Sequence, residues 1–86
     1  MVEPTYVQGL IEQGMDCTFL KVVGDGHHFE AIIVSDEFAG KNRIQQHQLV
    51  YKTLGSQMGN EIHALSMKTF TPDVWETEKS KFNVDL

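Results

Sequence analysis

The sequence predicts an α+β fold in which helices pack on a three-stranded sheet, with the chain order α-β-β-α-β-α. Two short runs rich in β-branched and aromatic residues flank Gly24-Asp25-Gly26, which is the pattern of a β-hairpin. Apolar residues at helical spacing occur before this hairpin and again after it. The 86 residues can build one core, because chains of about this length bury roughly 60–70% of their unfolded surface. Residues 1–86 are therefore predicted to form a single domain.

The first helix and the hairpin are predicted within residues 4–34. Pro4 suits the first turn of a helix, where a missing N–H costs little, and Gly14 suits its end. Between them, one apolar stripe is formed by Tyr6, Val7, Leu10 and Ile11. Residues 17–23 and 29–34 are the predicted strands, and the Gly-Asp-Gly turn between them provides residues that tolerate positive φ.

A longer helix is predicted over residues 42–58. Its apolar face is formed by Ile44, His47, Tyr51, Leu54 and Met58, with Val50 beside them. Gly55 falls inside this helix and should weaken its last turns, and Gly59-Asn60 should end it.

A third strand is predicted over residues 62–70, followed by a last helix that runs through Trp75 towards Lys81. Thr71-Pro72-Asp73 favours a helix start, since it combines an N-cap hydroxyl, proline at the first position and an acid in the first turn. Ten apolar residues are expected to share one core. They are Tyr6, Val7, Leu10, Phe19, Ile32, Val34, Val50, Leu54, Leu65 and Trp75.

Charge and composition argue against several classes of function. Twelve acidic and seven basic residues give a net charge of −5, which repels phosphate, so nucleic-acid binding would need a local basic patch. The single cysteine, Cys17, permits no internal disulfide and no cysteine-based metal motif. With no signal-peptide pattern and no apolar run long enough to span a bilayer, a cytoplasmic protein is predicted. No nucleophile elbow, phosphate loop or HExxH motif is present, so we expect no enzyme.

Four motifs give the chain a family resemblance. They are GDGHHF at residues 24–29, VSDEFAG at 34–40, QQHQLVY at 45–51 and IHALSMKTFTPDVW at 62–75. In this order, and over nearly the whole chain, they resemble the BolA family, and the short Gly-Asp-Gly turn is most similar to the bacterial acid-stress subgroup. The resemblance implies a fold similar to class II KH domains, which agrees with the element order predicted above.

The resemblance also implies a partner and a cofactor. The partner is a monothiol glutaredoxin with the CGFS motif, and the cofactor is a shared [2Fe–2S] cluster. The glutaredoxin and glutathione supply thiolates, and the BolA-like protein supplies a histidine, which corresponds here to His63. Such a protein is an adaptor in iron–sulfur trafficking or the stress response. A lone strand histidine such as His63 is, without the resemblance, more often structural than a ligand.

The second cluster ligand is open between three residues. The family position lies four residues before the strand aromatic Phe29, which makes it Asp25, a hard oxygen ligand and a poor match for cluster iron. His27 and His28 are softer alternatives beside it, and the alternating pleat should point them to opposite faces. If the pleat extends through the turn, His27 is the better candidate to share a metal with His63.

A DNA-binding regulator of the stress response is the alternative function, because some family members are described as such regulators. Against it, Gln46 stands before His47 where the family commonly has arginine, which removes one positive charge. His47 itself is predicted to be a hydrogen-bonded residue of the core boundary, and Cys17 a small strand hydrophobe. Nucleic acid and a second copy of the chain stay open as further partners.

Overall fold

The computed structural model describes residues 3–55, 62 and 64–82. The helices and strands are, in chain order, α1 (Pro4–Gly14), β1 (Phe19–Gly24), β2 (His28–Val34), α2 (Arg43–Leu54), β3 (Ala64–Phe70) and α3 (Pro72–Glu78). Short 3-10 turns lie at Asp36–Phe38 and Lys79–Lys81. This order confirms the predicted α-β-β-α-β-α fold. None of the described helices has the length and apolar character that crossing a bilayer requires.

The central strand, β2, organises the sheet, whose order is β1-β2-β3. It pairs with β1 in the antiparallel hairpin and with β3 in parallel. A parallel pair needs a long crossover, which α2 supplies here. The register aligns Ala31 with Val22 on one side and with Met67 on the other, so that the three side chains lie on the same face.

The inner face of the sheet carries the main core. Phe29, Ala31 and Ile33 alternate along β2, and all three are buried. They pack against α1 and α2, whose buried side chains are Val7, Ile11, Val50 and Leu54. Ile62, which forms an isolated β-bridge before β3, belongs to the same cluster.

The outer face carries a second, smaller apolar cluster, which is built around α3. Trp75 stacks on Phe19 with ring centroids 5.1 Å apart and lies 5.3 Å from the ring of Phe70. Val34 is paired with both of these strand residues and is fully buried. The expectation of one shared core is therefore wrong, because Val34 and Trp75 lie on the opposite face of the sheet from Val7 and Leu54.

Several predicted details differ in the structure. The buried face of α2 is formed by Val50 and Leu54, whereas Ile44 is 69% exposed and Tyr51 is 39% exposed. The predicted face at residues 44, 47, 51, 54 and 58 included Leu54, which is buried, but the inward face follows the i, i+4 series 46, 50 and 54. In α1 the inward face is formed by Val7 and Ile11, and Tyr6, which was predicted to share their stripe, is exposed.

The predicted ends of the elements are also revised. Gly55, predicted to lie inside the helix, is the C-cap of α2, with φ at +57°, and α2 ends at Leu54. Met58 and Gly59-Asn60 lie outside the described residues. Thr71 does occupy the N-cap of α3, but its hydroxyl makes no cap hydrogen bond. The Thr71 hydroxyl bonds to the Asp73 carboxylate instead. This hydrogen bond lowers the pKa of Asp73, and backbone N–H groups lower it further.

Ser35 ties together two connections at the end of β2. It is fully buried, and its hydroxyl donates to the carbonyl of Asp16 and accepts from the N–H of Glu37. The N–H of Asp16 donates in turn to Glu37 Oε2 at 2.7 Å. The segment that leads from α1 into β1 is thereby held against the segment that leaves β2.

Helices α1 and α2 approach closely at Gly14. A Cβ atom built on Gly14 would lie 2.6 Å from Thr53 Cγ2 and 2.7 Å from Thr53 Cβ, both far inside contact distance. Thr53 is β-branched and stiff at χ1, and its hydroxyl donates to the carbonyl of Val50. Gly9, in the same helix, has no atom within 4 Å of the equivalent position.

Gly14→Ala should therefore destabilise the fold, by about 1–3 kcal/mol as for overpacked sites. Gly9→Ala should stabilise it by up to about 1 kcal/mol, since it only improves helix propensity and restricts the unfolded chain. Urea unfolding followed by circular dichroism measures both changes. Equal effects of the two substitutions would show that α1 and α2 do not touch at Gly14.

Candidate functional site

The tip of the β1–β2 hairpin is shaped by Asp25. Its Oδ1 accepts the backbone N–H groups of His27 and His28, both at 2.9 Å, and its own N–H donates to the carbonyl of His28 at 3.2 Å. A side-chain oxygen that bonds the backbone two or three residues further on is a common way to close a tight turn. The tip is thus held in one conformation by a carboxylate.

Two glycines permit this turn for different reasons. Gly26 has φ at +102°, a conformation that glycine adopts without steric cost. Gly24 belongs to β1, and a Cβ atom there would lie 2.5 Å from Phe29 Cδ1 and 2.6 Å from the carbonyl oxygen of His28. The sequence attributes Gly24 to positive φ, but the structure requires glycine there because of the close packing against Phe29.

The tip carries exposed ligand-type side chains. The two backbone N–H donors lower the pKa of Asp25, with a smaller contribution from the charges of His28 and His27. His28 Nδ1 lies 4.0 Å from Asp25 Oδ2, and the two side chains are 80% and 69% exposed. His27 is exposed in the turn. An incoming partner could therefore reach the carboxylate and both imidazoles.

The sheet brings this tip next to the start of β3. His28 opens β2 and is in register with Ala64, the first residue of β3. His63 directly precedes Ala64 in the chain but lies outside the described residues. His27 precedes β2 and lies in the turn, so the condition under which it was favoured, a pleat that extends through the turn, is not met. His28, in contrast, is part of the strand and shares the outer face with Glu30.

Cys17 lies far from the tip. It stands before the first residue of β1, a strand of six residues that spans about 20 Å, whereas the tip follows the last. It is not itself part of the strand, contrary to prediction. Burial raises the pKa of its thiol, and the carboxylates of Glu37, Glu12 and Asp16 raise it further. The thiol is therefore a poor nucleophile and a poor metal ligand at neutral pH.

No three His, Cys, Asp or Glu side chains gather around a common point suitable for a metal ion within residues 3–55, 62 and 64–82.

Gln46 has a structural role that the sequence did not reveal. Its amide nitrogen donates to the carbonyls of Lys41, at 2.9 Å, and Phe38, at 3.3 Å. Its amide oxygen accepts from the Thr69 hydroxyl at 2.6 Å. One side chain thus joins the start of α2, the loop before it and β3. The sequence feature that could have indicated this role is the position of Gln46 four residues before Val50, on the same face of α2.

His47 lies at the boundary between α2 and a groove of about 310 Å³ beside β3. It is half-buried, as predicted, but its ring makes no hydrogen bond with the rest of the described chain. Burial lowers the pKa of His47, and the positive charge of Arg43 lowers it further. The neutral imidazole is therefore the form that the folded protein favours.

The similarities to known proteins are consistent over most of the chain. The family model for BolA-like proteins matches residues 13–74. The acid stress protein IbaG of Escherichia coli is 33% identical over 79 residues, which cover 91% of this chain and 94% of IbaG. The DNA-binding transcriptional regulator BolA of Haemophilus influenzae is 36% identical over 55 residues, 64% of this chain, and the match spans about half (53%) of that regulator.

Solved structures give the same result for the fold. A BolA protein homologue from Coxiella burnetii superposes with a TM-score of 0.81 and is 44% identical, covering 88% of this chain and 99% of that one. Yeast Fra2 superposes with a TM-score of 0.71 at 29% identity, over 86% of this chain and 84% of Fra2. The BolA domain of SufE1 from Arabidopsis thaliana gives 0.74 at 29% identity, over 83% and 93%.

The lowered pKa of His47 predicts a pH dependence of stability. The stability that neutral His47 contributes is fully present above about pH 6.5, the pKa of histidine in the unfolded chain. It is lost as the pH falls through the lower pKa of His47 in the folded protein, because the unfolded chain takes up the proton first. The free energy of unfolding of the wild type should thus fall more steeply between about pH 7 and pH 5 than that of His47→Gln. Urea titrations at several pH values measure both slopes. Parallel slopes would mean that His47 titrates alike in both states.

Proposed function

The chain belongs to the BolA-like family, and from this membership we propose that it is a non-enzymatic cytoplasmic adaptor that binds a CGFS monothiol glutaredoxin and co-ligates a [2Fe–2S] cluster. The supporting observation is the register of His28 with Ala64, which sets the exposed hairpin tip beside the point where the chain enters β3 after His63. The exposed imidazole of His28 is thereby set beside Ala64, the residue that follows His63 in the chain.

His63 is proposed as the first ligand, and an imidazole of the tip as the second. The structure favours His27 or His28 over Asp25 in this role, because Asp25 Oδ1 already accepts two N–H groups. A carboxylate is also the harder donor, whereas imidazole replaces thiolate on one iron in Rieske centres. Asp25 would then hold the turn that presents the two histidines.

The remaining ligands are proposed to come from the partner. The chain has a single cysteine, Cys17, and it lies beyond the far end of β1. The glutaredoxin cysteine and glutathione would supply the thiolates. Mixed imidazole and thiolate ligation would give the shared cluster a higher reduction potential than four thiolates give.

The names of the relatives agree with an adaptor in a stress or assembly context. SufE1 contains a BolA domain as one part of the protein, and IbaG is named as an acid stress protein. The name of IbaG supports the stress response as the setting of this chain's activity, and the BolA domain within SufE1 supports a role beside another protein unit.

Replacing His63 by alanine tests the ligand. The heterodimer formed with a CGFS glutaredoxin, iron, sulfide and glutathione should lose the visible absorption and circular dichroism of its cluster. The fold should remain, because removing one imidazole removes little apolar burial. His63→Cys should retain a cluster with a lower reduction potential. His47→Ala is the matched control, and its folded complex should keep the wild-type spectrum. An unchanged spectrum in folded, partner-bound His63→Ala would overturn the assignment.

His27→Ala and His28→Ala, measured in the same way, identify the second ligand. Only the variant that removes the ligand should change the spectrum, and the other serves as its control. Asp25→Asn should keep one acceptor oxygen for the turn and therefore leave the spectrum of the folded complex nearly unchanged. A spectrum lost only in Asp25→Asn would assign the carboxylate as the ligand instead.

A DNA-binding regulator is the second candidate, which the name of the Haemophilus relative favours. The charges argue against non-specific binding, since Lys79 and Lys81 are paired with Glu76 and Glu78. With few cations left to neutralise phosphates, the Kd for random duplex at physiological salt should be no better than about 10⁻⁴ M. Fluorescence anisotropy measures it, and sub-micromolar binding would favour the regulator.

A further inference from the structure

In the described part of the chain, helix α3 covers one end of the outer face of the sheet and leaves the end nearer the hairpin tip uncovered. Trp75 of α3 covers the row formed by Phe19, Val34 and Phe70, and the strands continue beyond this row towards the hairpin tip. The continuation is a groove of about 630 Å³ that ends at Phe82. Its outward-facing side chains, which we call the outer groove, are Lys21, Val23, Glu30, Ile32, Ser66 and Lys68.

The register places an apolar residue between two cations. Lys21 pairs with Ile32, and Ile32 pairs with Lys68, so the three residues form one row across the three strands. Strands lie about 4.8 Å apart, which separates the two lysine backbones by about 10 Å. Val23, which is 45% exposed, and Glu30 stand in the next row. The outer groove thus presents Ile32 with a lysine on each side, and Val23 lies diagonally from Ile32 on β1.

Among the described residues these two lysines form no ion pair, although the net charge of the protein is −5. Lys79 and Lys81 are held by neighbouring glutamates on their own helical segment. Lys21 and Lys68, in contrast, form no ion pair with any part of the chain that the structure describes. Glu30 is the acidic residue of the groove and makes no ion pair with either lysine. Within the described residues, no carboxylate neutralises these two cations, so they favour a ligand that carries carboxylates.

The outer groove is continuous with the candidate cluster site. Residues 28, 30 and 32 alternate along β2 and face the same side, so His28 lies on the same surface as Ile32. A protein that reaches the hairpin tip would extend over this surface. A second copy is the less suitable occupant, because both copies would carry the same net charge of −5 and repel each other.

We infer that the outer groove docks a carboxylate-bearing, partly apolar segment of the glutaredoxin partner. The carboxylates pair with Lys21 and Lys68, and an apolar side chain rests on Ile32 and Val23. This inference rests on the proposed function and adds a surface for association that is separate from the cluster ligands. The groove would set the affinity and the orientation of the complex, and the histidines would hold the cluster.

The double variant Lys21→Glu/Lys68→Glu tests this surface against Lys41→Glu/Lys52→Glu, which makes the same change of charge near and on α2. Calorimetric titration of the cluster-free proteins with a CGFS glutaredoxin at physiological salt measures the Kd. The groove variant should bind about tenfold more weakly or worse, and the control within about threefold of the wild type. At saturating partner concentration the groove variant should still give the wild-type cluster spectrum.

Equal weakening by both double variants, or none by the groove variant, would overturn the inference. Lys21→Met/Lys68→Met, which keeps the apolar stems without the charge, should weaken binding in the same direction and covers the case in which the glutamate variant does not fold. If the wild-type chain binds the glutaredoxin but the complex forms no cluster when iron, sulfide and glutathione are added, the proposed function is refuted and the groove stands. If the wild-type chain does not bind the glutaredoxin, both are refuted. A change of self-association in the groove variant, seen by analytical ultracentrifugation, would assign the groove to a second copy.

Discussion

The parallel pairing of β2 with β3 is the constraint on which the rest of the molecule depends. It aligns His28 with Ala64 at one end and Val34 with Phe70 at the other. Because side chains alternate along a strand, this register also decides which residues face α1 and α2 and which face α3. A slip of one residue would exchange the faces, exposing Leu65 and burying Lys68. The core, the aromatic cluster and the hairpin end of the sheet are all consequences of one alignment.

The elements and their order could be predicted from local patterns, because each has its own signal. Pro4, Thr71-Pro72 and the Gly-Asp-Gly turn are such signals, and they act over a few residues. The phase of α2 could not be predicted in this way. Ile44 fits an apolar stripe and Gln46 does not. Gln46 nevertheless takes the inward position, because its amide bonds to three partners in two other parts of the fold. Hydrophobic spacing carries no information about such partners.

The division of the apolar residues between the two faces of the sheet could not be predicted from the sequence either. Alternation indicates that Ile33 and Val34 point in opposite directions, but it does not indicate which helix covers each of them. At the candidate site, the residue types of the tip were predictable and their roles were not. Asp25 was considered as a ligand, and only the structure shows its carboxylate bonded to the backbone of the two histidines beside it. His63 remains assigned by resemblance.

The two neighbours of β2 differ greatly in how far along the chain they lie. Three residues connect β1 to β2, whereas residues 35–63 separate β2 from β3. Closing the longer loop costs more conformational entropy, so contacts with β3 are expected to form after the local hairpin during folding. The hairpin tip would then gain its neighbour at the start of β3 only when the last strand docks. A chain that is still incompletely folded would lack the start of β3 beside the tip, so the cluster site proposed above would form only in the finished protein.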